Sequence, residues 1–529
     1  MLIQDEKTNS VTEKAFRKND FRDISSEYTL PDYLPDITRL LRVSAKAEHA
    51  EKYCSSDTVE YDGKIIYNLV YATGDGEIRC AVFDDDYSGS VSVGDAEFST
   101  YTVETQAENV SCRLSSPRKL TLKCKICASV TVYPLRAAEP TIAGKNAPDA
   151  EEKLQYRKKR IEFAKESFAE EKNTPVSEDI EIDPGMPQIE RIVFVNLIPG
   201  ALDVRTAGGK ISYGGAFNAE ILYESTGEDG ARKYSSFSRE VPVSGTIETG
   251  GAREELFAVC SMEATNVSFR PQTNELGETK TVELDFDYSV YFRIFSKESA
   301  EITTDMYSLL YENTNEAVSF KYTSPEAYKA FNFSFGESEE CGEEGFDEVI
   351  FASACASLTG VEKAGSKTAV SGNVTFYVIL EGKGGAFLGK SMSFPFKAET
   401  DAGKYPELFS HISSAHVSGA SARSVGGKIY CDAEITVCLA LFGEKEAEAV
   451  ASSSIHTDKA VTRTSGFGIV LYYPMRGETL WSVAKKYRTT EERLSAANGG
   501  IKEPSGTGAL IIPMEKATKA AKKSVVVSK

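Results

Sequence analysis

Short runs of alternating apolar and polar residues, separated by glycine, cover most of the chain and indicate β-strands. One such run recurs three times, each time after a glycine, at Gly63, Gly215 and Gly372. Every second residue after each glycine is apolar, which gives each strand one apolar face. The twelve apolar positions are Ile65, Tyr67, Leu69, Tyr71, Phe217, Ala219, Ile221, Tyr223, Val374, Phe376, Val378 and Leu380.

A second alternating run follows each of the first runs and begins at Leu120, Val282 and Ile429. It starts 57, 67 and 57 residues after the respective glycine, so the middle copy carries an extra turn. Agreement in phase and near agreement in spacing predict three copies of one β unit of about 100 residues, each a small sandwich or barrel. The copies are expected at 29–140, 191–320 and 349–455.

The stretch between the first two copies, 141–190, has a different pattern. Pro148 stands at a plausible helix start, and Leu154, Ile161 and Phe168 are spaced seven apart among charged residues. This pattern predicts a long linker helix with a narrow apolar stripe. Other stretches expected to lie outside the copies are an N-terminal segment at 1–28, an acidic, glycine-rich linker at 321–348 and a short linker at 456–467.

The apolar spacing becomes helical near the C-terminus, where Leu480, Trp481, Val483, Ala484 and Tyr487 predict one face of a first helix. A second helix is expected to open at Thr489, with Glu492 completing a capping box. Strand-like runs, "IVLYY" and "ALIIP", flank the helices, so 468–514 is predicted to be a βααβ module followed by a basic tail, 515–529. The predicted fold class is mainly β, with three repeat domains, a linker helix and this module.

Composition narrows the classes of function. The 529 residues carry a net charge of −19, which argues against binding to a nucleic-acid backbone. No run approaches the roughly 20 apolar residues that span a bilayer, and no signal peptide is expected. Ten cysteines in a chain of this length fit a reducing compartment, so the cytoplasm is the expected location.

Candidate chemistry is sparse. The four histidines fall in no metal-binding motif, and no nucleophile elbow or phosphate-binding loop is present. Cys124 and Cys127 have the spacing of a metal or redox pair, but on a strand they point to opposite faces. We therefore expect no metal, no cofactor and no catalytic residue. An enzyme built from distant loops, such as one using a carboxylate pair on wall sugars, stays open.

The module at 468–514 resembles the LysM domain. Gly477, Glu478, Thr479, Leu480 and Trp481 stand where that family usually has Gly-Asp-Thr-Leu-Trp, Asn498 ends the second helix, and Ile512-Pro513 closes the last strand. The resemblance implies a groove for N-acetylglucosamine chains between two loops, while packing and capping would require many of the same residues. The groove residues are Gly477, Glu478, Thr479, Leu480, Asn498, Gly499, Gly500 and Ile501.

The β units resemble the SPOCS domain of sporulating Firmicutes, in the stretches "YTLPDYLPDITRLLRVSAKAE", "DGKIIYNLVY" and "ITTDMYSLLYE". Three such units followed by a LysM domain imply a non-catalytic assembly protein of the spore coat, located in the mother-cell cytoplasm at the forespore surface. The implied partner is a SpoIVA-like coat morphogenetic ATPase. The alternative is a wall protein that binds peptidoglycan, an N-acetylglucosamine polymer.

Overall fold

The computed structural model describes residues 10–55, 57–94, 97–144, 153–227, 230–249, 255–401, 409–461, 469–504 and 508–513. Strands dominate, and the two helices among these residues both lie near the C-terminus. Neither helix is long or apolar enough to cross a membrane.

The first unit consists of two open sheets that face each other. Its strands, with the short β1 before them and β9 after them, are β1 Ser10–Thr12, β2 Phe16–Thr29, β3 Arg39–Ala47, β4 Glu51–Ser55, β5 Thr58–Ala72, β6 Ile78–Ser92, β7 Phe98–Ser116, β8 Lys119–Ala137 and β9 Thr141–Ala143. One sheet places β8 between β2 and β7, with β1 on the end of β8. The other places β5 between β6 and the pair β3 and β4. All of these pairings are antiparallel.

The second and third units repeat this order of strands. The second contains β10 Leu154–Glu181, β11 Arg191–Pro199, β12 Asp203–Ala207, β13 Lys210–Thr226, β14 Arg232–Glu248, β15 Glu255–Thr273 and β16 Thr279–Ser308. The third contains β17 Tyr311–Glu340, β18 Phe346–Ala364, β19 Lys367–Gly382, β20 Phe387–Asp401, β21 Phe409–Val425 and β22 Lys428–Ala460. In each unit the first strand pairs with the last, so every unit closes on its own chain.

The predicted phase of the repeated strands is confirmed. All twelve apolar positions after the three glycines are buried, and they pack against the inward residues of β8, β16 and β22. Gly63 is required because the side chain of Tyr87 approaches its backbone closely. A Cβ on Gly63 would lie 2.5 Å from the Tyr87 hydroxyl oxygen, so any larger residue would displace that ring. The mainly β fold with a C-terminal helical module is therefore the observed one.

The predicted linker helix is wrong, because residues 154–181 form β10, which pairs with β16 along its whole length. The register shift between Arg157 and Lys158 leaves the extra residue, Thr304, in the partner strand β16. Leu154 and Ile161 are both buried although they are seven residues apart, and they pack in two different apolar clusters. Phe168, the third residue of the supposed stripe, is 41% exposed.

The other stretches expected outside the units also supply strands. Residues 16–29 of the N-terminal segment form β2, and the stretch predicted as an acidic linker, 321–348, continues β17 as far as Glu340. Each unit thus begins with a charged edge strand that sequence reasoning assigned to a linker. Within the predicted linker 456–467, β22 reaches Ala460, and 462–468 lies outside the described residues, as does the tail.

Equivalent residues of the three units meet at common apolar clusters. Ala138, Ala300 and Ala447 each lie eighteen residues after the start of the second run, and all three are buried in one cluster. In a second cluster, Phe194 and Phe351 pack together at equivalent bulges. Their rings are 4.9 Å apart. The units therefore pack around a shared axis with approximate threefold equivalence.

The C-terminal module has the predicted βααβ order. Its elements are β23 Ile469–Tyr472, α1 Leu480–Tyr487, α2 Glu491–Ala497 and β24 Leu510–Pro513, with β23 and β24 antiparallel. The second helix begins one residue later than predicted, because the hydroxyl of Thr490 caps it by accepting from the Arg493 amide. Thr489 is buried and has a different role, described below.

Candidate functional site

The loop before α1 contains four of the predicted groove residues. Gly477 has a φ of +91°, a conformation that favours glycine. Thr479 caps α1 through a reciprocal pair of hydrogen bonds with Ser482. The Glu478 carboxylate accepts from the Tyr472 hydroxyl at 2.7 Å and from the Met475 amide at 2.8 Å, and these bonds lower the pKa of Glu478. The Glu478 side chain is therefore already engaged within the module.

The loop after α2 contains the other four. The Asn498 side chain donates to the carbonyls of Leu494 and Ile511, and its oxygen accepts from the Ile511 amide at 2.7 Å. It thereby ties α2 to β24. Gly499 and Gly500 are exposed, and Ile501 is half-buried against the module core.

The structure brings the two loops to one apolar cluster, in which Leu480 and Ile501 both pack. The hydrogen bonds of Glu478 and Asn498 do not join the loops, because each leads to other partners in the module. A ligand between these loops would meet mainly backbone groups and the bare glycines.

One face of α1 docks on the end of the second unit. Trp481 is buried there, and its ring meets that of Tyr307 edge to face with centroids 4.9 Å apart. The Tyr307 hydroxyl donates to the Thr489 carbonyl at 2.6 Å, and the Arg488 guanidinium donates to the Ser308 carbonyl at 2.9 Å. Trp481 was expected to support the fold of the module, whereas the structure shows that it also joins the module to a β unit.

A carboxylate of the second unit completes this contact. Asp305 accepts from the Trp481 indole nitrogen at 2.8 Å and from the Lys485 ammonium at 2.6 Å. Burial alone would raise the pKa of Asp305, but the bonds from Lys485 and Trp481 outweigh it and hold that pKa below its usual value. The charged form of Asp305 is therefore the form that fits the docked state.

The strands of the module carry an exposed apolar stripe, which sequence reasoning missed. Ile469, Leu471 and Tyr473 alternate on one face of β23 and its extension, and Met475 follows them. Ile511 of β24 lies opposite Leu471 and widens the stripe. The alternation in "IVLYY" is the sequence signal that could have revealed it. Contiguous exposed apolar side chains of this kind mark interaction surfaces.

Charged residues divide between the docked face and the free face. Lys485 and Arg488 contact the second unit, so they are not available to a partner. Arg476, Lys486 and Lys502 are exposed on the module, and Arg476 directly follows Met475 of the stripe. The module therefore presents both exposed apolar and exposed basic side chains.

The cysteine pair lies on β8 as predicted. Cys124 faces the core, where burial raises its pKa to about 11, and Cys127 is on the other face. His411 and His416 lie on β21. Among the residues that the structure describes, no group of three or more His, Cys, Asp or Glu side chains is arranged to hold a metal ion.

Comparison with protein families finds two matches. Residues 188–271, within the second unit, match the SipL SPOCS domain, and residues 476–505 match the LysM domain. The chain carries a SipL-type SPOCS domain and a LysM domain. Comparison of the chain with curated proteins gave no match, and comparison with solved structures gave none either.

Both matched domains are non-catalytic binding domains. Together they suggest a sporulation-related protein whose LysM domain is of a type that binds cell-wall glycan. The LysM match spans both groove loops, and it ends before β24.

Proposed function

We propose that this protein is a non-catalytic assembly scaffold of spore coat and envelope morphogenesis. In this proposal it works in the mother-cell cytoplasm at the forespore surface, and its LysM domain docks a SpoIVA-like coat basement-layer ATPase. The presence of a SipL-type SPOCS domain and a LysM domain on the same chain supports a role in sporulation.

The exposed apolar stripe on β23 and β24 is the observation that carries the protein-docking function. A protein partner would bury these exposed aliphatic and aromatic side chains with a gain of roughly 25 cal/mol per Å2. The exposed basic residues Arg476, Lys486 and Lys502 of the module favour an acidic partner surface. The side chains of the groove residues Glu478 and Asn498 already form hydrogen bonds within the module.

A binding titration of full-length protein with the ATPase tests the proposal. Leu471→Ser removes the centre of the stripe, and because central interface residues often contribute more than 1 kcal/mol, affinity should fall about tenfold or more. Val82→Ser is the matched control, since Val82 is 61% exposed on a strand of the first unit and Leu471 is 63% exposed. If both variants bound the ATPase as tightly as the parent protein does, the stripe would not be part of the interface.

The alternative is a wall protein that holds an N-acetylglucosamine polymer between the two loops. The LysM match across 476–505 favours it. Chito-oligosaccharide titration of the same full-length protein distinguishes the two. Saturable sugar binding without a response to the ATPase would favour the wall-binding function.

A further inference from the structure

The loop between β2 and β3 of the first unit presents a tyrosine to solvent on a well-anchored backbone. Tyr33, in the middle of this loop, is 85% exposed. Leu30 and Ile37, at the two ends of the loop, are buried, and Leu34 packs against the core of the unit. The ring of Tyr33 therefore projects from an ordered part of the surface.

The guanidinium of Arg118, in the turn between β7 and β8, holds the loop in place. It donates to the carbonyl oxygens of Leu30, Pro31 and Leu34 at 2.9–3.2 Å. It also donates to the Asp36 carboxylate at 2.8 Å. Because these bonds already fix the loop, little conformational entropy is lost when a partner binds it.

The second unit shows that the fold does not require this tyrosine. Its loop at 182–189 makes the same backbone hydrogen bonds to the turn before β16 that the loop at 30–37 makes to the turn before β8. The hydroxyls of Tyr71 and Tyr223 donate to equivalent proline carbonyls in the two loops. Gly185 stands at the position of Tyr33, and a Cβ there would meet no atom within 4 Å. The side chain of Tyr33 is therefore available for another role.

Exposed carboxylates flank the tyrosine, and the second unit lacks them as well. The side chain of Asp32 is fully exposed and that of Asp36 largely so, whereas the second unit has Pro184 and Gln188 at these positions. Arg118 bonds Asp36 directly but lies 3.6 Å from Asp32. Asp32 can therefore pair with a further cation. An exposed tyrosine beside such a charge is a typical anchor of a protein interface.

The exposed stripe of the LysM domain has the chemistry that complements this loop. Leu471 and Ile511 lie opposite each other in the stripe and offer an apolar surface to an aromatic ring. Arg476, exposed and next to the stripe in the chain, offers a positive charge to Asp32. The loop and the stripe therefore match both in apolar character and in charge.

We propose that the loop at 31–36 of one copy of this protein docks on the LysM stripe of a second copy. The proposal rests on the stripe as an interaction surface, as the proposed function does, so the ATPase and a second copy compete for it. Two different surfaces meet in this contact, so it repeats from copy to copy and builds chains or rings. The contact is much smaller than the roughly 1,200 Å2 of a stable complex, so the association is weak, with a Kd of about 100 μM.

Sedimentation equilibrium of the full-length protein at about 10–500 μM and low salt tests the proposal. The average mass of the parent should rise with concentration, whereas Tyr33→Ala and Leu471→Ser should each stay at the monomer mass. Tyr53→Ala is the matched control and should associate like the parent, because Tyr53 is 55% exposed on β4 of the same unit. An equimolar mixture of Tyr33→Ala and Leu471→Ser should form pairs and nothing larger, since each variant keeps one of the two surfaces.

Two results would overturn the proposal: a parent protein that stays monomeric over this range, or equal association of the parent and Tyr33→Ala. Tyr33→Ala should keep the urea midpoint of the parent, because the second unit builds the same loop around Gly185. It should also bind the ATPase as tightly as the parent does; a loss of that affinity with unchanged self-association would assign the loop to the ATPase instead. Absence of self-association leaves the effect of Leu471→Ser on ATPase binding intact, so failure of this proposal and failure of the proposed function can be told apart.

Discussion

The docking of the LysM domain on the second unit should depend on Tyr307. This residue is fully buried, in a cluster made largely of LysM residues, and its ring contacts Trp481. A buried tyrosine removes roughly 150–250 Å2 from water, which at about 25 cal/mol per Å2 is about 4–6 kcal/mol. Large-to-small core substitutions lose about 3–5 kcal/mol, so Tyr307→Ala should lose most of the docking free energy.

Tyr307→Phe separates the hydroxyl from the ring. It keeps the edge-to-face contact with Trp481 but leaves the Thr489 carbonyl without its donor. The expected loss is about 1–2 kcal/mol. Tyr71→Phe is the matched control, because the Tyr71 hydroxyl donates to the Pro35 carbonyl at 3.1 Å within the first unit.

The assay is intrinsic fluorescence, since Trp481 is the single tryptophan of the chain. Tyr307→Ala should shift its emission to longer wavelength and increase quenching by acrylamide in the absence of denaturant. Tyr307→Phe should show the same change at a lower urea concentration than the parent, and Tyr71→Phe should not. Unchanged emission and quenching in Tyr307→Ala would refute the docked arrangement.

Three further predictions follow from the same contacts and cores. Phe376→Ala in the third unit should lower the free energy of unfolding by about 3 kcal/mol in urea denaturation, because Phe376 is fully buried; an unchanged midpoint would contradict its place in the core. Asp305 has a lowered pKa, so its contribution to docking should be complete above about pH 4 and be lost as the pH falls through the lowered pKa; Trp481 fluorescence should show this in the parent but not in Asp305→Asn. Cys127→Ala should leave partner binding unchanged, and elemental analysis should find no stoichiometric zinc; one zinc per chain would contradict the strand placement of Cys124 and Cys127.

The buried strands of each unit could be predicted from the sequence because their side chains alternate without interruption. The strand after Gly215 is an example, with Phe217, Ala219, Ile221 and Tyr223 all buried. Such strands are buried on the inner face of a sheet, so hydrophobic periodicity reports them directly.

The first strand of each unit could not be predicted in the same way. β10, for example, is an edge strand that is paired on one side only and carries many charged residues. Its apolar residues are few and lie among charged ones, so the spacing of Leu154, Ile161 and Phe168 imitates a helical stripe.

The candidate site also contains some features that the sequence could predict and others that it could not. The local features of the LysM domain, such as the Thr479 cap and the buried Leu480, depend on neighbouring residues and were predictable. The contact of Trp481 with Tyr307 and Asp305 joins residues more than 170 positions apart. No local pattern in the sequence encodes that contact.

The most direct test of the proposed docking function is hydrogen–deuterium exchange of the full-length protein with and without the SpoIVA-like ATPase. We expect the ATPase to slow amide exchange in β23, at Ile469–Tyr472, and at Ile511 in β24, while the loops at 477–480 and 498–501 change less. Unchanged exchange in both strands, together with slower exchange of the two loops in saturating chito-oligosaccharide, would contradict it.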